Sequence, residues 1–161
     1  MSINPLFLKF LNREAPVLEM LSSFSRSKDP YTSEAANELM ENPPDLEEFR
    51  KEFIDAVRDI IKEGPGKEFS AFVDHYMAPS LEEDVKTVKG QRGENIHRTA
   101  RVKDKNEPWV QALICYNLCL YIRAFGLEAL KTCKVCGRFF AHKGKWAVYC
   151  SDVCKSNKNK K

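Results

Sequence analysis

Two close cysteine pairs near the C-terminus constrain this chain more than any other feature. Cys133-Lys134-Val135-Cys136 and Cys150-Ser151-Asp152-Val153-Cys154 give the spacing C-x2-C-x13-C-x3-C, with a connection short enough to fold back on itself. Four thiolates at that spacing can close a tetrahedron around Zn²⁺, and an all-cysteine shell leaves no open position for a substrate. The candidate ligands are therefore Cys133, Cys136, Cys150 and Cys154, holding one structural Zn²⁺. Six cysteines would also make three disulfides in a secreted protein. The paired spacing, and an N-terminus that runs from Met1 to Lys9 and Arg13 without an apolar signal, predict a reduced zinc protein of the cytoplasm instead.

The residues around the cysteines predict local structure. Cys133 to Gly137 has the form of a zinc knuckle, a tight turn that aims backbone N–H groups at sulfur, with Gly137 where a positive φ is often needed. Phe139-Phe140-Ala141 and Trp146-Ala147-Val148-Tyr149, on either side of Lys143-Gly144-Lys145, read as a β-hairpin. Ser151 suits an N-cap and Asp152 a first helical turn, which places Cys150 just before a helix and Cys154 inside it. Knuckle, hairpin and helix in this order make a treble-clef zinc finger.

The motif Cys133-x2-Cys136-Gly137-Arg138-Phe139-Phe140, followed by Tyr149-Cys150-Ser151-x2-Cys154-Lys155, resembles treble-clef fingers of the form CxxCGxxF…YCSxxCK. It is similar to the CGNR-type fingers of bacterial transcription regulators, which also follow a mainly helical domain, and to the small zinc-finger inhibitor of DNA gyrase. The resemblance covers about residues 131–157. Where CGNR proteins carry Gly-Asn-Arg after the last cysteine, this chain has Lys155-Ser156-Asn157. The resemblance implies zinc, the treble-clef fold and a role in DNA binding or transcription regulation.

Ahead of the finger, the chain predicts a helical domain over 1–130, with 131–161 as the finger and its Lys-rich tail. A first helix starts at Asn4-Pro5, with Leu6, Phe7, Phe10 and Leu11 on one face. A second follows Ala15-Pro16, with apolar Val17, Leu18, Leu21 and Phe24 repeating at i, i+1, i+4, i+7. Ser25 to Thr32 reads as a loop and about Ser33 to Met40 as a short helix. Asp45 with Glu48 forms an acidic variant of a capping box for a long helix to about Lys62. Its core face is Leu46, Phe49, Phe53, Val57 and Ile60, and Gly64-Pro65-Gly66 stops it. Another helix spans Lys67 to Met77. Residues 81–107 read either as a hairpin, with Gly90–Gly93 turning between Val85–Lys89 and Ile96–Val102, or as a mobile basic loop. Pro108 opens a helix to about Leu130 that is apolar on nearly every side, the natural centre of an α-helical domain. Its apolar run, Trp109 to Ile122, is too short to span a bilayer. Cys115 and Cys119 on it read as core residues. The fold class is mainly α with a C-terminal α+β finger.

The net charge of +3 hides a segregation. Residues 1–85 carry a net −9, residues 86–105 a net +5, and residues 131–161 nine Lys/Arg against Asp152 alone. An acidic body with a basic finger predicts a polyanionic partner for the finger. Lys134, Arg138, Lys143, Lys145, Lys155, Lys158 and Lys160 are the candidate nucleic-acid-binding residues, and the helical domain would sense a ligand or form a homodimer. The alternative reading is a finger that holds a protein partner or staples the C-terminus to the helical body. His142, His75 and His97 lie in no ligand pattern. The carboxylates of 34–63 read as a solvated face, and no catalytic motif is present, so the expectation is a binding protein and not an enzyme.

Overall fold

The computed structural model describes residues 6–13, 17–90, 93–142, 144 and 146–157. The start expected at Asn4-Pro5, the Ala15-Pro16 break and the Gln91-Arg92 turn fall outside them. Among the described residues the chain forms seven α-helices and two small antiparallel sheets, and it is mainly helical.

Helix α1 is Leu6–Leu11 and α2 is Val17–Ser25. Helix α3 is Pro30–Glu41, three residues longer at its start than the sequence predicted. The reason is a cap inside the supposed loop. Asp29 accepts the Thr32 backbone N–H at 2.9 Å, and Pro30 occupies the first helical position, where its missing N–H costs nothing. Helix α4 is Glu47–Glu63, and its predicted core face is buried throughout. The capping box does not form. Asp45 accepts the N–H of Glu47 at 3.0 Å, and Leu46, only 2% exposed, takes the cap position without a side-chain hydrogen bond. Drawing Leu46 into the core decides where this helix begins.

Helix α5, Lys67–Ser80, runs past Met77 and carries Pro79 in its last turn. Strands β1, Leu81–Gly90, and β2, Gly93–Val102, then form the hairpin alternative in an unbroken register from Leu81 opposite Val102 to Gly90 opposite Gly93. Its base is packed: Val102 is buried, and its N–H donates to Thr32 Oγ1 at 2.9 Å.

Helix α6 is Trp109–Phe125, five residues shorter than expected. Gly126 ends it at φ 83°, a conformation side-chain-bearing residues avoid, and its N–H returns to the Ile122 carbonyl at 2.8 Å. The chain saved passes through a short 3-10 turn, Leu127–Ala129, into strand β3, Leu130–Thr132. Strand β4 is Phe139–Ala141 and helix α7 is Asp152–Asn157.

The first half of α6 is buried on all sides, as its composition predicted, and Cys115 is fully enclosed there. Elsewhere in the core Phe10, Phe49, Phe53, Phe72 and Tyr76 meet at ring separations of 5.0–6.4 Å. Two polar residues support this core in ways the hydrophobic pattern does not reveal. Asn117 of α6 accepts the Phe7 N–H at 3.3 Å and so caps the first turn of α1. Arg50, buried on α4, donates from Nε to the Phe10 carbonyl at 3.0 Å, lies 4.5 Å above the Phe10 ring and pairs with Glu47. No helix among the described residues is long and apolar enough to cross a membrane.

Candidate metal centre

The turn between β3 and β4 is the knuckle. β3 and β4 pair antiparallel, Leu130 opposite Ala141 and Thr132 opposite Phe139, so the strands bracket the first cysteine pair. This corrects the predicted hairpin, in which Phe139–Ala141 pairs with Trp146–Tyr149. Trp146–Tyr149 forms no strand. It is tied to the knuckle by the Lys134 N–H donating to the Val148 carbonyl at 3.1 Å. β4 takes the earlier partner because early termination of α6 at Gly126 delivers Leu130–Thr132 alongside it.

Within the knuckle the Cys133 N–H donates to the Arg138 carbonyl at 2.8 Å, and the Gly137 N–H donates to the Cys133 carbonyl at 3.0 Å. Gly137 takes φ 74°, as the sequence predicted. The second pair sits where expected, Cys150 ahead of α7 and Cys154 in its first turn. Ser151 caps that turn by accepting the Cys154 N–H at 3.3 Å.

These two substructures bring all four sulfurs within 4.8 Å of one another. Cys136 and Cys150 Sγ stand 3.5 Å apart, and Cys150 and Cys154 Sγ 3.6 Å apart. A tetrahedron with Zn–S bonds of about 2.3 Å has sulfurs about 3.8 Å apart, so the set fits a tetrahedral metal ion with little adjustment. Cys133 is buried, Cys150 and Cys154 half-buried, and Cys136 exposed. The sulfurs differ in their electrostatics. Burial pushes the Cys133 thiol up, but the backbone N–H groups of Cys136, Cys150 and Val135 outweigh it and bring the group down to about 6. Burial, and then the sulfurs of Cys136, Cys154 and Cys133, push Cys150 up to about 12. Four thiolates this close repel one another, and a divalent cation among them is what allows all four to ionise. The group can hold a metal ion. His142 stands apart, exposed, its Nδ1 accepting the Gly144 N–H at 2.8 Å.

The centre is fastened to the helical body. Phe139 is 4% exposed and belongs, with Leu130, to the same buried cluster as the helices. Asn12, just past α1, donates from Nδ2 to the Phe139 carbonyl at 2.8 Å and accepts the Phe139 N–H on Oδ1 at 3.1 Å. One side-chain amide thus does for the edge of β4 what a neighbouring strand would. The Arg58 guanidinium stands 5.8 Å from the Phe139 ring. Nothing local in the sequence marks Asn12, which lies 127 residues from its partner.

Lys134, Arg138 and Lys155 are exposed around the cysteines. Lys143, Lys145, Lys158 and Lys160 fall outside the described residues. Of the four aromatic residues, Phe139 faces the core, Phe140 and Tyr149 are half-buried, and Trp146 is 87% exposed. The other basic stretch, 86–105, is partly neutralised within the molecule. Arg98 pairs with Glu83 at 3.3 Å, Arg101 with Glu82 at 3.0 Å and Lys105 with Glu38 at 2.7 Å. No protein-family model matches this chain, and no curated protein matches it.

Proposed function

We propose that the four cysteines hold one structural Zn²⁺ in a finger of treble-clef type, and that the finger is a nucleic-acid-binding surface carried on a helical body. The metal assignment rests on the donor set: soft sulfurs, four of them, at tetrahedral separations, a set that suits zinc and leaves no site for catalysis. The knuckle between β3 and β4, and the second pair at the start of α7, support the treble-clef reading.

The observation that carries the nucleic-acid reading is where positive charge stays uncompensated. Lys134 and Lys155 are exposed and in no ion pair among the described residues, whereas Arg98, Arg101 and Lys105 of the other basic stretch are paired. With zinc and four thiolates counted, residues 131–161 keep a net charge of about +6. Lysines around a rigid turn suit phosphate contacts, and exposed Trp146 is an aromatic face on which an unpaired base can stack.

The test is fluorescence anisotropy of labelled duplex DNA, single-stranded DNA and RNA with the zinc-loaded protein across a salt series. The expected result is affinity that falls log-linearly with salt, with the slope reduced by about one for each phosphate-contacting lysine removed. Absence of binding at low salt overturns the reading. A second reading is favoured by the Asn12–Phe139 pairing and the burial of Phe139: the metal staples the C-terminal segment to the body, and the exposed face serves a protein partner. A stoichiometric protein partner from nuclease-treated lysate, with no nucleic-acid binding, would establish that one.

A further inference from the structure

The β1–β2 hairpin is unusually long. Each strand has ten residues, against a usual five or six, and a hairpin without further support is only marginally stable in water. Leu81, Ala100 and Val102 at its base meet the helical body, while Val85 is 54% exposed and Thr87 and Lys89 are exposed. The two outer edges differ. The base of β2 is tied to α3 through the bond from Val102 N–H to Thr32 Oγ1. No strand among the described residues pairs with the outer edge of β1. A long unpaired edge is a template for another strand.

The order of charges along β1 specifies which strand. Glu82, Glu83 and Asp84 lie toward the base and Lys86 and Lys89 toward the tip, on either side of Val85. A second β1 laid antiparallel with Val85 opposite Val85 places Asp84 opposite Lys86 and, by symmetry, Lys86 opposite Asp84. It also sets Glu83 diagonal to Lys89. A parallel copy in register would set the three carboxylates against themselves. Opposite charges directly across an antiparallel pair are favourable and like charges unfavourable, and an edge that complements itself under a two-fold rotation makes a closed dimer. We infer that the outer edge of β1, from Glu82 to Val88, is a homodimer surface on which a second copy of this chain adds its own β1, giving a four-stranded sheet. A single strand pairing is a small interface, so the dimer is a weak one. The inference stands independently of what the finger binds.

Sedimentation velocity on the zinc-loaded full chain at concentrations up to about 1 mM tests it. The wild type shows concentration-dependent dimers. Asp84→Lys and Lys86→Asp each weaken dimerisation about tenfold, and the double exchange Asp84→Lys/Lys86→Asp restores it, since the charges are then merely swapped. Protection of β2 amides from hydrogen exchange in each variant verifies that the intramolecular hairpin persists. A chain that stays monomeric throughout overturns the inference. So does a dimer whose strength ignores the single exchanges or is not rescued by the double one.

Discussion

Asn12 and the Asp29–Thr32 pair tie together parts of the molecule that are far apart in sequence, and each makes a sharp prediction. Asn12 supplies both a donor and an acceptor to the backbone of Phe139. Asn12→Ala leaves that N–H and carbonyl at a partly buried site without their partner, which costs about 1–3 kcal/mol. Asn12→Asp does at least as much harm, because a carboxylate can accept from the Phe139 N–H but only repel its carbonyl oxygen. Thermal unfolding of the zinc-loaded protein checks this, and an unchanged midpoint in both variants would show that the finger docks without the amide. Asp29 starts a relay: it accepts from both the hydroxyl and the N–H of Thr32, at 2.7 and 2.9 Å, while Thr32 Oγ1 accepts from Val102. The Thr32 hydroxyl bond, then the backbone bond, hold the Asp29 carboxyl below its ordinary value. A carboxylate whose pKa is depressed in the folded state adds stability that is complete above its unfolded pKa of about 3.9 and is lost as pH falls through the folded value. Asp29→Asn keeps an oxygen acceptor but cannot titrate. Its unfolding midpoint therefore follows pH less steeply than the wild type's below about pH 4.

The finger divides into a part packed on the helical body and a part for which the proposed metal ion would be the main tie. β4 is anchored by Phe139 in the core and by Asn12 on its edge. α7 has six residues, none of them buried, and a helix that short is unstable by itself in water. Chelation is therefore expected to melt α7 and release Cys150 and Cys154 while the helical body and β4 keep their structure. In heteronuclear NMR the indole N–H of Trp109, buried beside Phe24, should hold its position while the resonances of Trp146 and of α7 collapse toward random-coil shifts. Cys150→Ser should reproduce this spectrum. Native shifts for Trp146 and α7 in the chelated protein would refute the metal-closed site. The same division explains what could be read from the sequence. The cysteine spacing, Gly137, the Ser151 cap and the apolar faces of α4 and α6 are local patterns with local causes, and each appears in the structure where it was expected. The start of α3 is equally local, in Asp29-Pro30-Tyr31-Thr32, but Asp-Pro is a loop signal as well as a cap followed by a first helical residue, and the pattern alone does not choose. The pairing of β4 with β3 was not legible, because three-residue strands carry too little alternation to name a partner and the choice depends on where Gly126 ends α6. Asn12, Asn117 and Arg50 were not legible at all. Their roles exist only once distant segments have been brought together.

Across the whole molecule, charge and shape make opposite forecasts for the metal-free protein, and that opposition can test the nucleic-acid reading. Zinc with four thiolates contributes a net −2, whereas most thiols left without metal are protonated at neutral pH. Removing the metal therefore makes the segment 131–161 more positive, from about +6 toward +8. If the lysines acted merely as a diffuse cationic tail, stripped protein would bind nucleic acid as well as the loaded form or better, with a salt dependence at least as steep. A docking surface behaves otherwise. Lys134 and Arg138 lie on the knuckle and Lys155 on α7, so under the proposed shared ion their arrangement would depend on both cysteine pairs binding it. Loss of α7 then separates Lys155 from the other two and adds the entropy of ordering the segment to the cost of binding. The expected outcome is at least about a tenfold loss of affinity on chelation, reversed by adding zinc back, despite the gain in positive charge. Anisotropy titrations of loaded, stripped and reloaded protein at one ionic strength decide between the two. Equal or tighter binding by the stripped form would reduce the finger to a charged tail and leave the metal with the task of fastening the C-terminal segment to the helical body.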